Sequence, residues 1–455
     1  MFFVQINHTG KGFLFLIFRE IKLRKYSSLH KLFYGLTISY YKPTLNNFII
    51  PLQIKNSLNI GYTNRVPYTV FMEETMRKIK VMTVFGTRPE AIKMAPLVLK
   101  LKKDDRFEEV TVVTAQHREM LDQVLEIFQI KPDYDFNIMH KNQTLADITS
   151  KVLIDMSKVI KKEKPDIVLV HGDTTTSFAA SLATFYEQTT LGHVEAGLRT
   201  WNKYSPYPEE MNRQMTDDLT DLYFAPTELS KSNLIKENHS ADNIFVTGNT
   251  AIDALQQTVQ KDYHHDVLDE IKPGNKVILV TMHRRENQGE PMRRVFKVMR
   301  QVIDSHPDVE IIYPVHLSPR VQEAAKDVLG GDPRIHLIDP LDVVDFHNLA
   351  KRSFFIMTDS GGVQEEAPSL GKPVLVLRNT TERPEGVKAG TLKLVGTQVD
   401  RVRKEMLQLL EDKNAYNEMA NAKNPYGDGH ASDRIMDTIY YYFNKKDINK
   451  PIDFI

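Results

Sequence analysis

The chain has 455 residues, of which 41% are hydrophobic and 26% charged, and its formal net charge is zero. This length allows two hydrophobic cores, since a single core stops growing near about 250–300 residues, and the balanced charge argues against a nucleic-acid partner. The absence of cysteine excludes disulfides, thiolate metal sites and a cysteine nucleophile, and no apolar run approaches the roughly 20 residues needed to cross a bilayer.

Residues 1–75 differ in composition from the rest of the chain, because they are aromatic, basic and poor in acidic side chains. The apolar patch at 12–18 resembles the core of a signal peptide, but Glu20 follows it and no cleavage site of small residues does. A transit or anchoring segment is the alternative. The run from Met76 to Val81 is typical of a first strand at a cytosolic N-terminus. We therefore expect 1–75 to be an extension, either a mis-assigned start or disordered, and the protein to be cytoplasmic.

From residue 79 onward, short apolar runs alternate with longer amphipathic segments. The runs are apolar throughout, as expected of parallel strands that helices cover on both faces. The strands predicted in the first half are Val81–Phe85, Val110–Ala115, Ile167–Val170, Gly192–Val194, Leu222–Ala225 and Ile244–Thr247. The helices predicted between them include Ala91–Lys103, Arg118–Phe128 and Ala146–Glu163. This βαβ series predicts a doubly wound sheet.

The series restarts after the polar segment Lys261–Lys276, which carries turn residues and forms a plausible seam. A second set of strands is predicted at Val277–Thr281, Glu310–Pro314, Ile335–Ile338, Phe354–Thr358, Pro373–Leu377 and Leu392–Val395. A final helix, Ser432–Phe443, is expected to cross back to the first domain. The sequence therefore predicts an α/β protein with two Rossmann-like domains that face a cleft, an N-terminal domain at 76–247 and a C-terminal domain at 248–429, with 430–455 packing back on the first.

Ligands of open α/β sheets bind at the carboxyl ends of the strands, so the polar residues just after each strand are the candidates for function. In the first half, Arg88 follows the first strand at a predicted helix start, which favours an anion, and Lys93 lies about one turn further on. Asp173 follows another strand, where it either acts in chemistry or caps the next helix. Glu195 ends an apolar strand, and Glu209 lies on a later turn. Three such carboxylates suggest acid–base chemistry.

The second half offers a candidate phosphate site. His283 follows a strand and precedes two arginines, although a lone histidine is more often simply buried. Ser360, Gly361 and Gly362 follow another strand and offer backbone N–H groups to a diphosphate. Glu366 could accept hydrogen bonds from ribose hydroxyls, and Arg383 is a further phosphate ligand. The histidines are spread over separate strands without a carboxylate ligand pattern, so no metal site is predicted.

Six motifs in chain order resemble those of the non-hydrolysing UDP-N-acetylglucosamine 2-epimerases of bacterial type. They begin at Gly86, Gln116, His171, His193, Asp359 and Thr381, and read GTRPEAIKMAP, QHREM, HGDTT, HVEAGLRT, DSGG and TERP. The match runs from Met76 almost to the C-terminus and includes none of the first 75 residues. This resemblance implies a fold like that of the two-domain GT-B glycosyltransferases, with UDP held in the cleft.

The resemblance further implies an isomerase, a homodimer in the cytoplasm, that converts UDP-GlcNAc to UDP-ManNAc for envelope polysaccharide synthesis. It acts without a metal or other cofactor, by eliminating UDP to 2-acetamidoglucal and adding it back. Carried over by position, the family's catalytic residues look like Asp173, Glu195, Glu209 and His283 in this sequence. His283 is expected to be protonated beside the leaving diphosphate. The family's residues that contact the nucleotide sugar look like Arg88, Lys93, Phe346, Ser360, Gly361, Gly362, Glu366 and Arg383 in this sequence.

Two features vary among the members of this family. Some members bind substrate through a Gln shortly before the Phe, whereas Leu341 stands at that position here. Some use a second UDP-GlcNAc as an activator, which would contact the region of Gln116. The rival interpretations are a hydrolysing UDP-GlcNAc 2-epimerase and a GT-B glycosyltransferase, the latter needing an acceptor site. A sugar-nucleotide sensor that is not an enzyme would be expected to lack one of the carboxylates.

Overall fold

The computed structural model describes the backbone of residues 2–7 and 13–18, and residues 77–116, 118–140, 142–444 and 448–454 in full. The chain divides into two compact units, Met1–Arg77 and Lys78–Ile455. In the first unit, strands β1 (Phe2–Asn7) and β2 (Phe13–Phe18) pair antiparallel. Strand β2 lies within the apolar patch singled out at 12–18. The rest of the predicted extension at 1–75, and Met76 as the predicted start, lie outside the described residues.

The second unit contains two parallel sheets, and the first has seven strands in the order β5–β4–β3–β6–β7–β8–β9. Its strands are β3 (Ile79–Phe85), β4 (Phe107–Val113), β5 (Tyr134–Asp135), β6 (Ile167–His171), β7 (Thr190–Val194), β8 (Leu222–Ala225) and β9 (Ile244–Val246). The helices between them are α1 (Arg88–Lys103), α2 (Arg118–Ile127), α3 (Leu145–Glu163), α4 (Thr175–Tyr186), α5 (Glu209–Leu219) and α6 (Glu228–Lys236).

The second sheet has six strands in the order β12–β11–β10–β13–β14–β15. Its strands are β10 (Lys276–Thr281), β11 (Val309–Pro314), β12 (Ile335–Ile338), β13 (Phe355–Thr358), β14 (Val374–Val376) and β15 (Leu392–Leu394). The helices of this half are α7 (Thr250–Thr258), α8 (Asp266–Glu270), α9 (Glu290–Ser305), α10 (Pro319–Leu329), α11 (Val343–Arg352), α12 (Gly361–Glu366), α13 (Pro384–Ala389), α14 (Val399–Glu411), α15 (Lys413–Ala420) and α16 (Ala431–Phe443).

Buried apolar side chains on both faces of the strands explain why the runs are continuous in sequence. In β3, Val81 and Phe85 pack in the core formed with α1, α2 and α16, whereas Met82 and Val84 pack in the core formed with α3 and α4. Because successive residues of a strand point to opposite faces, both sets must be apolar. The prediction of an α/β fold with two doubly wound sheets is confirmed.

The predicted strand bounds agree with the structure to within one or two residues at most ends. The main exception is β4, which begins at Phe107, three residues before the predicted start at Val110. The charged pair Glu108 and Glu109 interrupts the apolar pattern there, although Glu109 is buried in the strand and accepts a hydrogen bond of 2.6 Å from Thr83. Strand β5 was not predicted, because two residues are too short to give a pattern.

The chain crosses between the two sheets at two adjoining segments. The first crossing runs from β9 through α7, and the predicted seam at 261–276 contains the short helix α8. The second passes through 424–427, where the Asn249 N–H donates to the carbonyl oxygen of Tyr426 over 2.7 Å. After this crossing α16 buries Ile435 and Ile439 in the core on the first sheet.

The segment after α16 returns to the outer strand of the first sheet. The Phe454 N–H donates to the carbonyl oxygen of Val246 over 2.7 Å, and the Val246 N–H donates to the Asp453 carboxylate over 3.0 Å. Strand β9 is an edge strand, so this segment pairs backbone groups that would otherwise face solvent. Among the residues that the structure describes, no helix has the length and apolar character needed to span a bilayer.

Candidate active site

Each sheet reverses its strand order at one point, between β3 and β6 in the first and between β10 and β13 in the second. A crevice opens at such a switch point, outside the carboxyl ends of the strands. The turns that leave these four strands are residues 86–88, 171–173, 282–284 and 359–361. Eight of the thirteen candidate residues lie on these turns or in the first two turns of the helices that directly follow them.

The turn after β3 is tied to the turn after β6 by the buried side chain of Glu90. One of its carboxylate oxygens accepts from the Gly86 and Thr87 N–H groups over 2.9 and 2.8 Å. The other accepts from the hydroxyls of Thr174 and Ser177 over 2.6 and 2.9 Å. Burial raises the pKa of Glu90, although these four donors oppose the shift. The two turns are therefore held at a fixed spacing.

Asp173 is half-buried after β6, and α5 fixes its orientation. The Arg213 guanidinium pairs with the Asp173 carboxylate, and its Nη1 donates to Glu210 over 2.9 Å. The Asn212 amide donates to the carbonyl oxygen of Asp173 over 3.0 Å. The helix cap is Thr174, whose hydroxyl accepts from the Ser177 N–H. Asp173 is thus not the cap of α4 that its position also suggested, and its carboxylate faces the cleft side of α5.

Glu195 follows β7 in a left-handed backbone conformation, with φ of 69°. Its carboxylate forms an ion pair with Lys93 of α1 and accepts a hydrogen bond of 3.0 Å from the Asn249 amide. Burial alone would raise the pKa of Glu195, but Lys93 and the neighbouring charges hold it well below its usual range. The side chain is 9% exposed. Glu195 is therefore a buried carboxylate that stays ionised because a lysine faces it.

A second carboxylate, Glu365 on α12, meets Glu195 across the cleft. The Asn249 amide donates to both carboxylates, each over 3.0 Å, and Lys93 Nζ lies 3.9 Å from Glu365. The Arg383 Nε donates to the other oxygen of Glu365 over 2.7 Å. Burial raises the pKa of Glu365. Two cations and two anions thus form one buried cluster that joins the two halves of the cleft.

One further carboxylate and two contacts describe the cleft wall around this cluster. Glu209 is the first residue of α5 and is half-buried. Arg88 donates to the carbonyl oxygen of Leu341 over 3.2 Å, so a first-half cation contacts the second half. The Thr227 hydroxyl donates to Glu385 over 2.7 Å across the same boundary. Because Arg88 donates to the backbone carbonyl of Leu341, this contact does not depend on the side chain at position 341.

His283 lies after β10 beside the buried carboxylate of Asp359. Asp359 accepts from the N–H groups of His283 and Arg284 over 3.0 and 2.9 Å, and its oxygen lies 3.4 Å from His283 Nδ1. The His283 ring stacks on His316 with the ring centres 5.6 Å apart. Burial lowers the pKa of His283, while Asp359 opposes the shift. The environment disfavours the protonated imidazole that the sequence analysis expects there.

Arg383 and the turn at Ser360–Gly362 lie against each other. A Cβ added to Gly361 would lie 3.0 Å from Arg383 Nη1, so a side chain at this position would press on the guanidinium. The Ser360 N–H donates to the Thr358 hydroxyl over 2.9 Å, and Gly361 and Gly362 begin the six-residue helix α12. The Ser360 N–H is thus already bonded within the turn, and the Gly361 and Gly362 amides and the Arg383 guanidinium lie together on one side of the cleft.

Glu366 and Phe346 form the neighbouring wall. The Glu366 carboxylate lies 3.4 Å from His347 Nε2, and the other ring nitrogen of His347 lies 2.7 Å from the Thr258 hydroxyl. Phe346 precedes His347 on α11 and is half-buried, with the two ring centres 6.1 Å apart. A carboxylate beside an aromatic ring suits a nucleoside, whose ribose donates hydrogen bonds and whose base stacks.

Gln116 lies apart from the charged cluster, after β4. Its side-chain oxygen accepts from the Thr176 hydroxyl on α4 over 3.0 Å, and Thr176 also bonds to Thr114 over 2.9 Å. This arrangement places Gln116 beside the turns after β3 and β6, without contact to Lys93 or Glu195. Within the part of the chain that the structure describes, no group of three or more histidine and carboxylate side chains is placed to hold a metal ion.

Four side chains that organise the site were not predicted from the sequence: Asn249, Glu365, Arg213 and Asp217. Glu365 precedes the predicted Glu366, and α12 is a six-residue helix with a single large apolar residue besides its glycines, so its pattern does not indicate which of the two glutamates faces the cleft. Asn249 follows β9, so the strand-end argument could have found it. Arg213 and Asp217 lie one helical turn apart on α5, a spacing that places both on one face.

The chain is similar to known proteins over most of its length. Residues 99–440 match a family model described as UDP-N-acetylglucosamine 2-epimerase. A Bacillus subtilis protein of that name is 62% identical over 368 residues, covering 81% of this chain and 97% of that protein. A crystal structure of UDP-GlcNAc 2-epimerase from Neisseria meningitidis bound to UDP-GlcNAc superimposes with a TM-score of 0.72 at 50% identity, over 80% of this chain and all of that one. A glycosyltransferase of kitacinnamycin, 11% identical, shares the fold with a TM-score of 0.56, over 80% of this chain and 99% of that one.

Proposed function

The chain belongs to the UDP-N-acetylglucosamine 2-epimerase family, and we propose that it converts UDP-GlcNAc reversibly to UDP-ManNAc. The family membership makes it an isomerase with a GT-B-like fold, as the resemblance in sequence predicted. The product, the route and the residue roles below are parts of the proposal.

The proposed route is elimination followed by re-addition. The proton at C2 has no adjacent carbonyl to make it acidic, so a base cannot simply remove and return it. When the bond from C1 to the diphosphate oxygen breaks, positive charge develops at C1 and acidifies the C2 proton. A base then takes that proton, which gives 2-acetamidoglucal and UDP. UDP adds back at C1 while a proton reaches C2 from the opposite face, which inverts that centre.

The observation that supports this proposal best is the buried cluster of opposite charges in the cleft. Elimination needs cations for the departing diphosphate, and Lys93 and Arg383 lie on the two sides of the cleft. Arg88, the Ser360 hydroxyl and the amides of Gly361 and Gly362 lie near them. It also needs proton-transfer groups on both faces of the sugar, and general acid–base help is typically worth about 10²–10⁴-fold. We assign this task to the carboxylates Asp173, Glu195 and Glu209.

The remaining predicted residues take supporting roles in the proposal. Glu366 and Phe346 would hold the nucleoside, and His283 would lie at the diphosphate as a neutral donor rather than as an imidazolium. Gln116 would belong to a second nucleotide site if this chain is activated by UDP-GlcNAc. The proposed domain bounds are 76–247 and 248–429, with 430–455 packing back on the first domain, and the two crossings between the sheets support them. We also propose that the protein is a cytoplasmic homodimer and that it supplies ManNAc units to envelope polysaccharide. Light scattering after size-exclusion chromatography would test its oligomeric state.

The proposal is tested by incubating the protein with UDP-GlcNAc in D₂O and following the products by NMR. UDP-ManNAc with deuterium at C2 is expected, because the added proton comes from solvent. Free ManNAc as the main product would establish hydrolysis instead. Transfer of the sugar to an added acceptor, without exchange at C2, would establish a glycosyltransferase.

A matched pair of variants tests the role of Asp173. Asp173→Asn should lower the rate of C2 exchange by about 10²-fold or more while UDP binding persists, since the change removes a proton-transfer group and keeps the shape. Asp218→Asn is the control, because this α5 carboxylate is 75% exposed. Loss of UDP binding with unchanged exchange per bound substrate would show that Asp173 is structural.

A further inference from the structure

A buried charge network lies directly beneath the turns that carry Asp173 and Glu195. Its members are His193 on β7, Asp217 on α5 and Arg199, whose side chains are completely buried. None of them faces the cleft cluster of Lys93 and Arg383. Three ionisable side chains buried together need a reason, because removing them from water is costly unless each is fully hydrogen-bonded.

His193 joins this network to the turn of Asp173. Its Nε2 lies 2.8 Å from the carbonyl oxygen of Gly172, the residue before Asp173. The Gly172 N–H donates to the carbonyl oxygen of Val194 over 2.9 Å. Both backbone groups of Gly172 are thus bound by β7, and its φ of 63° turns the chain toward the cleft. The direction in which Asp173 leaves the sheet is therefore set by the His193 side chain and by the carbonyl oxygen of Val194.

Asp217 joins the same network to the turn of Glu195. One oxygen lies 2.6 Å from His193 Nδ1, and the other accepts from the Gly197 N–H over 3.2 Å and from Arg199 over 2.7 Å. The Gly197 contact closes the turn in which Glu195 has its left-handed conformation. The Asp217 carboxylate is thus connected to both catalytic turns. It contacts the turn of Asp173 through the His193 ring and the turn of Glu195 through the Gly197 N–H.

The hydrogen-bond pattern fixes one proton of the ring. A carbonyl oxygen only accepts, so His193 Nε2 carries a proton and donates it to Gly172. The other ring nitrogen faces the Asp217 carboxylate, which Arg199 also contacts. The His193 ring is therefore held from both of its nitrogens, and its Nε2 proton is directed at the turn of Asp173.

We propose that His193 and Asp217 are positioning residues that fix the separation of Asp173 and Glu195, and that His193 acts through its bond to the Gly172 carbonyl. The inference rests on the proposed function, in which these two carboxylates serve the C2 proton. A displacement of about 1 Å in a reacting group can cost about 10²-fold in rate. Loss of the Gly172 bond should therefore reduce turnover without reducing nucleotide affinity.

Two substitutions of His193 separate its two bonds. In His193→Asn, the side-chain amide occupies the place of Nδ1 and keeps the contact with Asp217, but the donor to Gly172 is lost. In His193→Gln, the amide reaches the place of Nε2 and keeps the Gly172 contact. We expect kcat for C2 exchange to fall about 10²-fold in His193→Asn, with KM and UDP affinity changed less than about threefold. His193→Gln should retain kcat within about tenfold.

The outcomes distinguish the inference from the proposed function. Wild-type turnover in His193→Asn, an equal loss in both variants, or a loss of UDP affinity that parallels kcat would overturn the inference. If the wild-type protein itself gives no exchange at C2, the proposed function fails. The network is then still tested by NMR of protein labelled with ¹⁵N-histidine, with His193→Gln used for assignment. A proton on His193 Nε2 is expected, and a ring that lacks the proton at this nitrogen would overturn the inference.

Discussion

Lys93→Met removes the cation from the buried cluster and keeps a side chain of similar length. In the protein, the Lys93 ammonium pairs with Glu195 and lies 3.9 Å from Glu365, and these three side chains are 14%, 9% and 2% exposed. The substitution leaves two buried carboxylates that share the Asn249 amide with one cation fewer. Removing one partner of a buried ion pair typically costs about 3–5 kcal/mol, and we expect a loss of that size in the free energy of unfolding at pH 8.

The loss should depend on pH with a defined sign. In the wild-type protein Lys93 holds the pKa of Glu195 below its unfolded value, so this group stabilises the fold above about pH 4 and the contribution fades as the pH falls. In the variant, burial without Lys93 raises the pKa of Glu195 above the unfolded value. The penalty is then greatest at high pH and is relieved when the carboxylate takes up a proton. The difference between the two proteins should therefore narrow as the pH falls from about 8 to 5.

The measurement is urea unfolding of both proteins across this pH range. Lys103→Met is the control, because Lys103 is exposed on the same helix and its replacement should change the unfolding free energy by less than about 0.5 kcal/mol. Adding Glu195→Gln to Lys93→Met should restore part of the lost stability at pH 8. A difference below about 1 kcal/mol, or one that stays constant with pH, would refute the reasoning.

Three further predictions concern single positions. Gly197→Ala should cost about 2–4 kcal/mol of unfolding free energy, since φ is 84° and the added Cβ would lie 2.3 Å from the carbonyl oxygen of Ser230; Gly274→Ala, with φ of 88° and open space, should cost only about 1 kcal/mol. Asp253→Ala removes the carboxylate that accepts from two N–H groups at the start of α16, over 3.1 and 2.8 Å, and should lower the melting temperature, whereas an unchanged value would show that α16 needs no cap. Burial lowers the pKa of the His171 ring to about 3. The free energy of unfolding should therefore fall as the pH drops from about 6.5 toward 3, because the unfolded chain takes up the proton first. NMR would contradict the low pKa if it showed the His171 ring titrating above about pH 5.5.

The sequence predicted the fold well because its signal is local. Strands such as Leu222–Ala225 and Ile335–Ile338 coincide with their predicted bounds, since short runs that are apolar throughout or at all but one residue need no knowledge of distant parts of the chain. The family was predicted from six motifs, and the match over residues 99–440 confirms it. Strand-end logic also named Glu195 and Arg383, which the structure brings into one cluster.

The partners of these residues could not be predicted from the sequence, for a physical reason. Asn249 bonds to Glu365, which is 116 residues away, and Arg213 bonds to Asp173 from a separate helix. No local pattern encodes such contacts, because the register between a helix and a distant turn is set by packing. The positive φ of Glu195 is likewise invisible in a sequence where the position is not glycine.

The place of α16 has a consequence for how the protein is made. Its residues Ile435 and Ile439 complete the core against α1, yet about 330 residues separate the two helices in the chain. On the ribosome, the part of α1 that packs against α16 stays uncovered until α16 has emerged. The first sheet therefore reaches its final packing only after the second sheet has had time to form, although the first sheet is translated first. During that interval a chaperone that binds exposed apolar segments would find its site on α1.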